Sequence, residues 1–196
     1  MKKFALMNAL AVGVLSIGFA VASPQQAVTQ LRGNADQVLN ILSKANGSNN
    51  AAVRRQAENY AIPYFDFERM TALAVGAPWK QATPAQKQAL TQQFKTLLIR
   101  TYSGTMLKFK GAKVQVLGNP IVNNGGKEVV VKTKITAQGK PVNMDYTMYQ
   151  SGSKYRVYNV AVEGASLVTV YRSQFNETIR KSGIDGLISQ LKQKNG

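Results

Sequence analysis

Residues 128–162, EVVVKTKITAQGKPVNMDYTMYQSGSKYRVYNVAV, decide the fold. They hold three runs in which apolar and polar side chains alternate. Successive side chains of a strand point to opposite faces, so Val129, Val131, Thr133 and Ile135 share one face of the first run. Val142, Met144, Tyr146 and Met148 share a face of the second, and Tyr158, Val160 and Val162 of the third, with Tyr155 on the opposite face. Gln138-Gly139 and Ser151-Gly152-Ser153 separate the runs and carry turn chemistry. Strands joined by such short turns are antiparallel, and the alternation predicts a sheet with one face covered. Upstream, residues 113–117 alternate as well, and Asn123-Asn124-Gly125-Gly126 is a hairpin signal. The reading is a meander of about four strands.

Helical patterns flank this block. Val28, Leu31, Ala35, Val38, Leu39 and Leu42 recur at three and four residues, and residues 46–50 (NGSNN) break the helix. A short second helix carries Val53, Ala57 and Tyr60 and ends before Pro63. Asp66 is placed to cap a third, bearing Phe67, Met70 and Leu73, with Gly76 at its end. Thr83-Pro84-Ala85-Gln86 opens a long helix read over Pro84 to Phe109, its stripe formed by Leu90, Phe94, Leu97, Leu98, Thr101 and Thr105 and widened by Met106. Beyond the sheet, Leu167, Val168 and Val170 form an apolar segment, followed by two helices near Ser173–Lys181 and Asp185–Lys194 on either side of Gly183. Helices, then strands, then helices define an α+β domain.

The N-terminus reads as an address. Lys2 and Lys3 precede an uncharged apolar run from Phe4 to Ala22 that ends in Ala20-Val21-Ala22, a small-x-small cleavage signal. A secretory signal peptide over 1–22 is expected, leaving one soluble domain, 23–196, in the periplasm. No Cys follows the run, so a lipid anchor is not expected. The chain has 25 Lys and Arg against 9 Asp and Glu, a net charge of +16. Removing Lys2 and Lys3 leaves +14. Such a balance suits nucleic acid or anionic surfaces. Export disfavours nucleic acid and leaves anionic lipid and acidic protein partners.

Catalytic chemistry is sparsely supplied. The sequence has no His and no Cys, which excludes His-based acid–base catalysis, thiol nucleophiles and the usual zinc ligands. No metal site is expected. The nine carboxylates offer one close pair, Asp66 and Glu68, which point to different faces of a helix. Asp66 reads as a cap and Glu68 as a solvent group. No nucleophile elbow or phosphate loop is present. The protein is not expected to be an enzyme. A pocket and a packed core draw on the same apolar residues, and composition does not separate them.

Two stretches carry a resemblance. One runs Tyr64-Phe65-Asp66-Phe67-Glu68-Arg69-Met70, then Gly76, Trp79, Thr83-Pro84 and residues 98–103 (LIRTYS). The other runs from Tyr155 to Gly164 (YRVYNVAVEG), then Ser166-Leu167-Val168 and residues 171–175 (YRSQF). Together they resemble the MlaC, or toluene-tolerance, family of periplasmic phospholipid-binding proteins of the Mla system, in order and spacing over roughly residues 25–192. Asn159 departs from the Asp often found there, and a local hydrogen-bond change is expected.

The resemblance implies helices packed around a strongly twisted antiparallel sheet. Acyl tails would enter an apolar pocket between the two, and the headgroup would stay near solvent. Bound phospholipid is then cargo, with no other cofactor. The residues expected to line the pocket are Phe67, Met70 and Leu73 of the third helix and Phe94, Leu97, Leu98, Thr101 and Met106 of the long helix. The sheet would add Val129, Val131, Ile135, Met144, Tyr146, Met148, Tyr158, Val160 and Val162, and Val168 lies beyond it. Arg100 and Arg172 are candidates for headgroup or docking contacts, or for hydrogen bonds to backbone carbonyls. The implied role is shuttling phospholipid between outer and inner membranes, which maintains outer-membrane lipid asymmetry. The implied partners are an inner-membrane ABC transporter with a ring of MCE-domain subunits and an outer-membrane lipoprotein–porin complex. Each acyl methylene in water costs about 0.8 kcal/mol, so two ordinary chains cost on the order of 20 kcal/mol. A carrier that hides them needs no reactive groups, and Met70, Met106, Met144 and Met148 suit an adaptable wall. The competing readings are a periplasmic polypeptide-binding or chaperone-like module, gripping extended chain along a strand edge, and a small enzyme using the pocket.

Overall fold

Local chemistry sets most element boundaries. The structure, a computed structural model, describes residues 23–196; the expected signal peptide lies outside them. Helix α1 (Pro24–Ser43) starts with Pro at its first position, and the Ser23 N–H donates to the Gln26 side chain at 3.0 Å. Helix α2 (Asn50–Ala61) follows the Asn-rich break. Asp66 caps α3 (Phe67–Val75) by accepting from the Arg69 N–H at 2.9 Å. Helix α4 (Pro84–Ser103) opens on a complete capping box, in which Thr83 Oγ1 accepts from the Gln86 N–H at 3.2 Å and Gln86 Oε1 from the Thr83 N–H at 3.0 Å.

Two helix boundaries differ from the sequence reading. The long helix stops at Ser103, not Phe109. Gly104 is a poor helix residue, and the Thr105 hydroxyl turns back to the Tyr102 carbonyl at 2.7 Å. The chain then makes a separate 3₁₀ turn over Met106–Phe109. The two expected C-terminal helices form one element, α5 (Leu167–Asn195), broken at Gly183, whose φ of 70° and ψ of −175° require glycine. It starts six residues before the expected Ser173. Ser166 Oγ accepts from the Thr169 N–H, and Asn159 Oδ1 in turn accepts from the Ser166 hydroxyl at 3.0 Å. The β-branched run Val168–Val170 looks extended in sequence, but this remote cap makes it helical.

The sheet has six antiparallel strands: β1 (Lys113–Val116), β2 (Ile121–Asn123), β3 (Glu128–Ala137), β4 (Lys140–Ser151), β5 (Lys154–Val162) and β6 (Ala165–Ser166). The order is β1-β3-β4-β5-β6, and β2 also pairs with β3. The count exceeds four because β2 and β6 are short. The outer edge of β5 is covered. The Gln30 side-chain amide pairs with the Tyr155 main chain in both directions, at 2.6 and 2.9 Å. The Asp66 N–H donates to the Val157 carbonyl at 2.8 Å, and β6 pairs with Ala161 and Val162. Among the described residues, these contacts leave no long run of unpaired backbone along β5 for a further strand to pair with.

A bulge corrects the expected face of β5. Thr147 pairs with Asn159, but Met148 pairs with Val157, so Tyr158 is the extra residue. Bulges re-aim side chains. Here Val157 joins Val160 and Val162, and Tyr158 goes to the other side. Tyr155, expected on the opposite face from Val160, lies on the same face and is 1% exposed. Strict alternation across the bulge gave the wrong phase.

Candidate functional site

The apolar sheet face is built from cross-strand rows. Val129, Met148 and Val157 form one row, and Val131, Tyr146 and Val160 the next. Val129 and Val131 are fully buried. They are covered by Ala27, Val28 and Leu31 of α1, one stripe at three- and four-residue spacing. Ala27 has no bulk to hold the helix away, and it too is fully buried. Val162, Val116 and Leu167 extend the layer at its margin. Ile135 is buried further along β3. The Tyr146 hydroxyl donates to the thioether of Met144 at 3.5 Å, a weak acceptor. Desolvation of that hydroxyl pushes its pKa up to about 12, so it stays a neutral donor at ordinary pH.

The expectation that α4 faces this layer is corrected. Phe94, Leu97 and Leu98 pack with Met70, Tyr158 and Val168 in a separate cluster formed by α3, α4, α5 and the second sheet face. Phe94 meets Tyr171 and Phe175 edge-on at 5.0 and 5.1 Å, so α5 takes up the stripe that was assigned to the sheet. Phe67 and Leu73 border this cluster. Met106 belongs to a third, with Ile41, Leu42, Val53 and Ala57 of α1 and α2. Thr101 is exposed. The pocket-lining set thus divides among three apolar clusters. Phe65 packs against both the sheet-face cluster and the helical one and is the seam between them.

A polar clamp ties α3 to the second sheet face. The Arg69 guanidinium lies 3.8 Å from the Tyr158 ring centroid and 4.6 Å from that of Tyr149, and it pairs with Glu128. The Tyr149 hydroxyl donates to Asp66, which has Arg156 at 3.8 Å. Asp66, the expected cap, therefore also anchors the sheet. Glu128 and Asp66 are 62 residues apart, and no motif links them in one network. Both carboxylates are committed to cations and hydrogen bonds. Among the described residues, no group of three His, Cys, Asp or Glu side chains could hold a metal.

Arg100 donates to the Asn195 carbonyl, and Arg172 Nε donates to the Leu73 carbonyl at 2.8 Å. Each therefore meets a helix-end carbonyl. Asn159 accepts from the Ser166 hydroxyl and, at 3.4 Å, from the Val168 N–H. An amide oxygen satisfies both donors, as a carboxylate would. The α1 residues Ala27, Val28, Gln30 and Leu31 were absent from the expected site. Their periodicity marks an amphipathic helix but not which layer it covers.

The fold and this layer define an α+β protein whose candidate site is an apolar interlayer between a sheet and a helix. No helix among the described residues is long and apolar enough to cross a membrane. The chain belongs to the MlaC protein family, whose model matches residues 32–193. It is 29% identical over 107 residues to the toluene tolerance protein Ttg2D of Pseudomonas putida, covering 54% of this chain and 49% of that protein. It is 21% identical over 144 residues to the intermembrane phospholipid transport system binding protein MlaC of Haemophilus influenzae, covering 72% and 67%. The chain thus spans about half to two thirds of these relatives. Among solved structures, it is similar to the phospholipid-binding protein from Ralstonia solanacearum in complex with a phospholipid, at a TM-score of 0.79 and 30% identity, covering 87% of this chain and 97% of that one.

Proposed function

We propose that this protein carries phospholipid, with the acyl tails held against the apolar face of β3, β4 and β5. The observation that carries the reading is the likeness, over 97% of its length, to a protein solved with a phospholipid bound. In this structure α1 covers that face, so tails enter as the N-terminal half of α1 gives way. Two of the covering side chains, Ala27 and Val28, are small, and the burial lost is regained by acyl methylenes of equal apolarity. Val129, Val131, Met148, Val160 and their neighbours then line the tails, and Phe65 leads to the helical cluster. The protein acts without covalent chemistry, because Asp66 and Glu128 are held by arginines and a helix cap. It is exported, cleaved after Ala22 and active in the periplasm as one domain, 23–196. There it exchanges lipid with an inner-membrane ABC transporter bearing an MCE-domain ring and with an outer-membrane lipoprotein–porin complex, and so maintains outer-membrane asymmetry.

Native mass spectrometry of protein purified from the periplasm tests the reading. The expected result is the mature mass plus about one phospholipid. A bare polypeptide mass, with no lipid on solvent extraction and no uptake from vesicles, overturns it. Saturable binding of unfolded peptide in its place would favour the polypeptide-binding alternative.

A further inference from the structure

Gly76 closes α3 with φ 73° and ψ −139°, a conformation open in practice only to glycine. The chain reverses there and enters a single 3₁₀ turn, Ala77–Lys80. That turn lays Trp79 along the margin of the helical cluster, half-buried. Beside it is an open dish of about 510 Å³. Its lining includes Ala72, Leu73, Ala77 and Trp79, with Lys80 and Arg172 as its cations. Lys87 adds a third cation, with Nζ 5.7 Å from the Trp79 ring centroid. Among the described residues, no carboxylate lines the dish.

Two side chains there keep unused donors. Arg172 Nε is spent on the Leu73 carbonyl, at the C-terminus of α3. Its Nη groups have no partner among the described residues, and neither has the Trp79 indole N–H. We propose that this dish is a docking face for an anionic phospholipid surface, distinct from the interlayer that holds the tails. An indole with an apolar body and a free N–H belongs at the boundary between acyl chains and headgroups. Lys80, Lys87 and Arg172 have long stems that bring their charges to the phosphates around that indole. The mature charge of +14 draws the protein toward such a surface, and each cation close to it is worth about fivefold in partitioning.

Trp79 is the only Trp in the sequence, so its fluorescence reports this face alone. The mature protein is mixed at low salt with phosphatidylglycerol–phosphatidylcholine vesicles or with phosphatidylcholine vesicles. The expected result is flotation and a blue shift with the anionic vesicles only, both reversed by high salt. Brominated lipid should quench Trp79, and the quenching should vanish once high salt has released the protein and the vesicles are pelleted. Lys80→Gln with Lys87→Gln should weaken partitioning about 25-fold while phospholipid uptake is kept. Trp79→Phe, followed by flotation, should also weaken it. Equal binding to both vesicle types, or full binding by the double variant, overturns the proposal. So does a blue shift that follows protein concentration without vesicles, which would assign the dish to a second copy of the chain. Quenching that stays with the salt-released protein after pelleting would mean that Trp79 senses cargo, and would overturn it too. Failure of the carrier reading would look different: no co-purified lipid, with docking to anionic vesicles intact.

Discussion

Tyr146 shows how one side chain can be placed by a layer and tested by pH. Its hydroxyl is desolvated, with only a thioether to accept its proton, and its pKa is pushed up to about 12 from an ordinary value of 10.0. The neutral phenol is therefore favoured in the folded protein. Below pH 10 both states hold the proton and the stabilisation is fully present. As pH rises from 10 to about 12, the unfolded chain ionises first and stability falls. At 1.36 kcal/mol per tenfold change in proton affinity, the loss from this group is about 2–3 kcal/mol at most. Tyr146→Phe removes one weak hydrogen bond, so its stability at pH 8 should match the parent protein. In urea titrations near pH 11.5 the variant should be the more stable of the two by up to that amount. Equal losses in alkali would mean that the hydroxyl is solvated.

Helix α1 joins two different clusters. Ala27, Val28 and Leu31 cover the sheet, whereas Ile41 and Leu42 pack against α2. Gly33 lies between the halves, and a Cβ added there meets nothing within 4 Å. Glycine inside a helix is about 1 kcal/mol less favourable than alanine, so the weakest helical link falls where the covering half meets the anchored half. Gly33→Ala should raise Tm by about 2–4 °C in a domain of this size and slow lipid uptake from vesicles. A raised Tm with unchanged uptake would show that the covering half of α1 does not move to admit lipid. The Gln30 amide, paired with the Tyr155 backbone, holds that half in register when no tail displaces it.

On the largest scale, among the described residues, three apolar clusters meet without merging, and only the sheet-face cluster lies between a sheet and one helix. A ligand bound by the folded chain alone stabilises it by about 2.7 kcal/mol at a hundredfold excess over Kd. At about 2–4 °C per kcal/mol, removing the phospholipid should lower Tm by about 5–10 °C, and refilling from vesicles should restore it. Identical melting of extracted and refilled protein, despite lipid in the refilled sample, would place the lipid on the surface and not in the interlayer.

Much of the local chemistry was legible in the sequence, although the helix stop at Gly104 and Thr105 was not. Thr83-Pro84-Ala85-Gln86, Asp66 and the turn at Gln138-Gly139 act through neighbours a few residues away, so the helix starts and the meander follow from short-range sterics and hydrogen bonds. The apolar face of β3 was legible too, because alternation survives wherever a strand is regular. Three features were settled only by tertiary contact. Tyr158 changes face because a bulge forms between paired strands, and no single strand encodes its partner's register. Val168–Val170 are helical because Ser166 and Asn159 cap α5 across the turn from the sheet. The sheet is covered by α1 and not by α4, although both carry apolar stripes of similar period. Periodicity says that a helix must bury one side, but the partner is chosen by which stripe fits. The Ala27–Val28–Leu31 stripe packs on the sheet, while Phe94 of the α4 stripe is taken up edge-on by Tyr171 and Phe175 of α5.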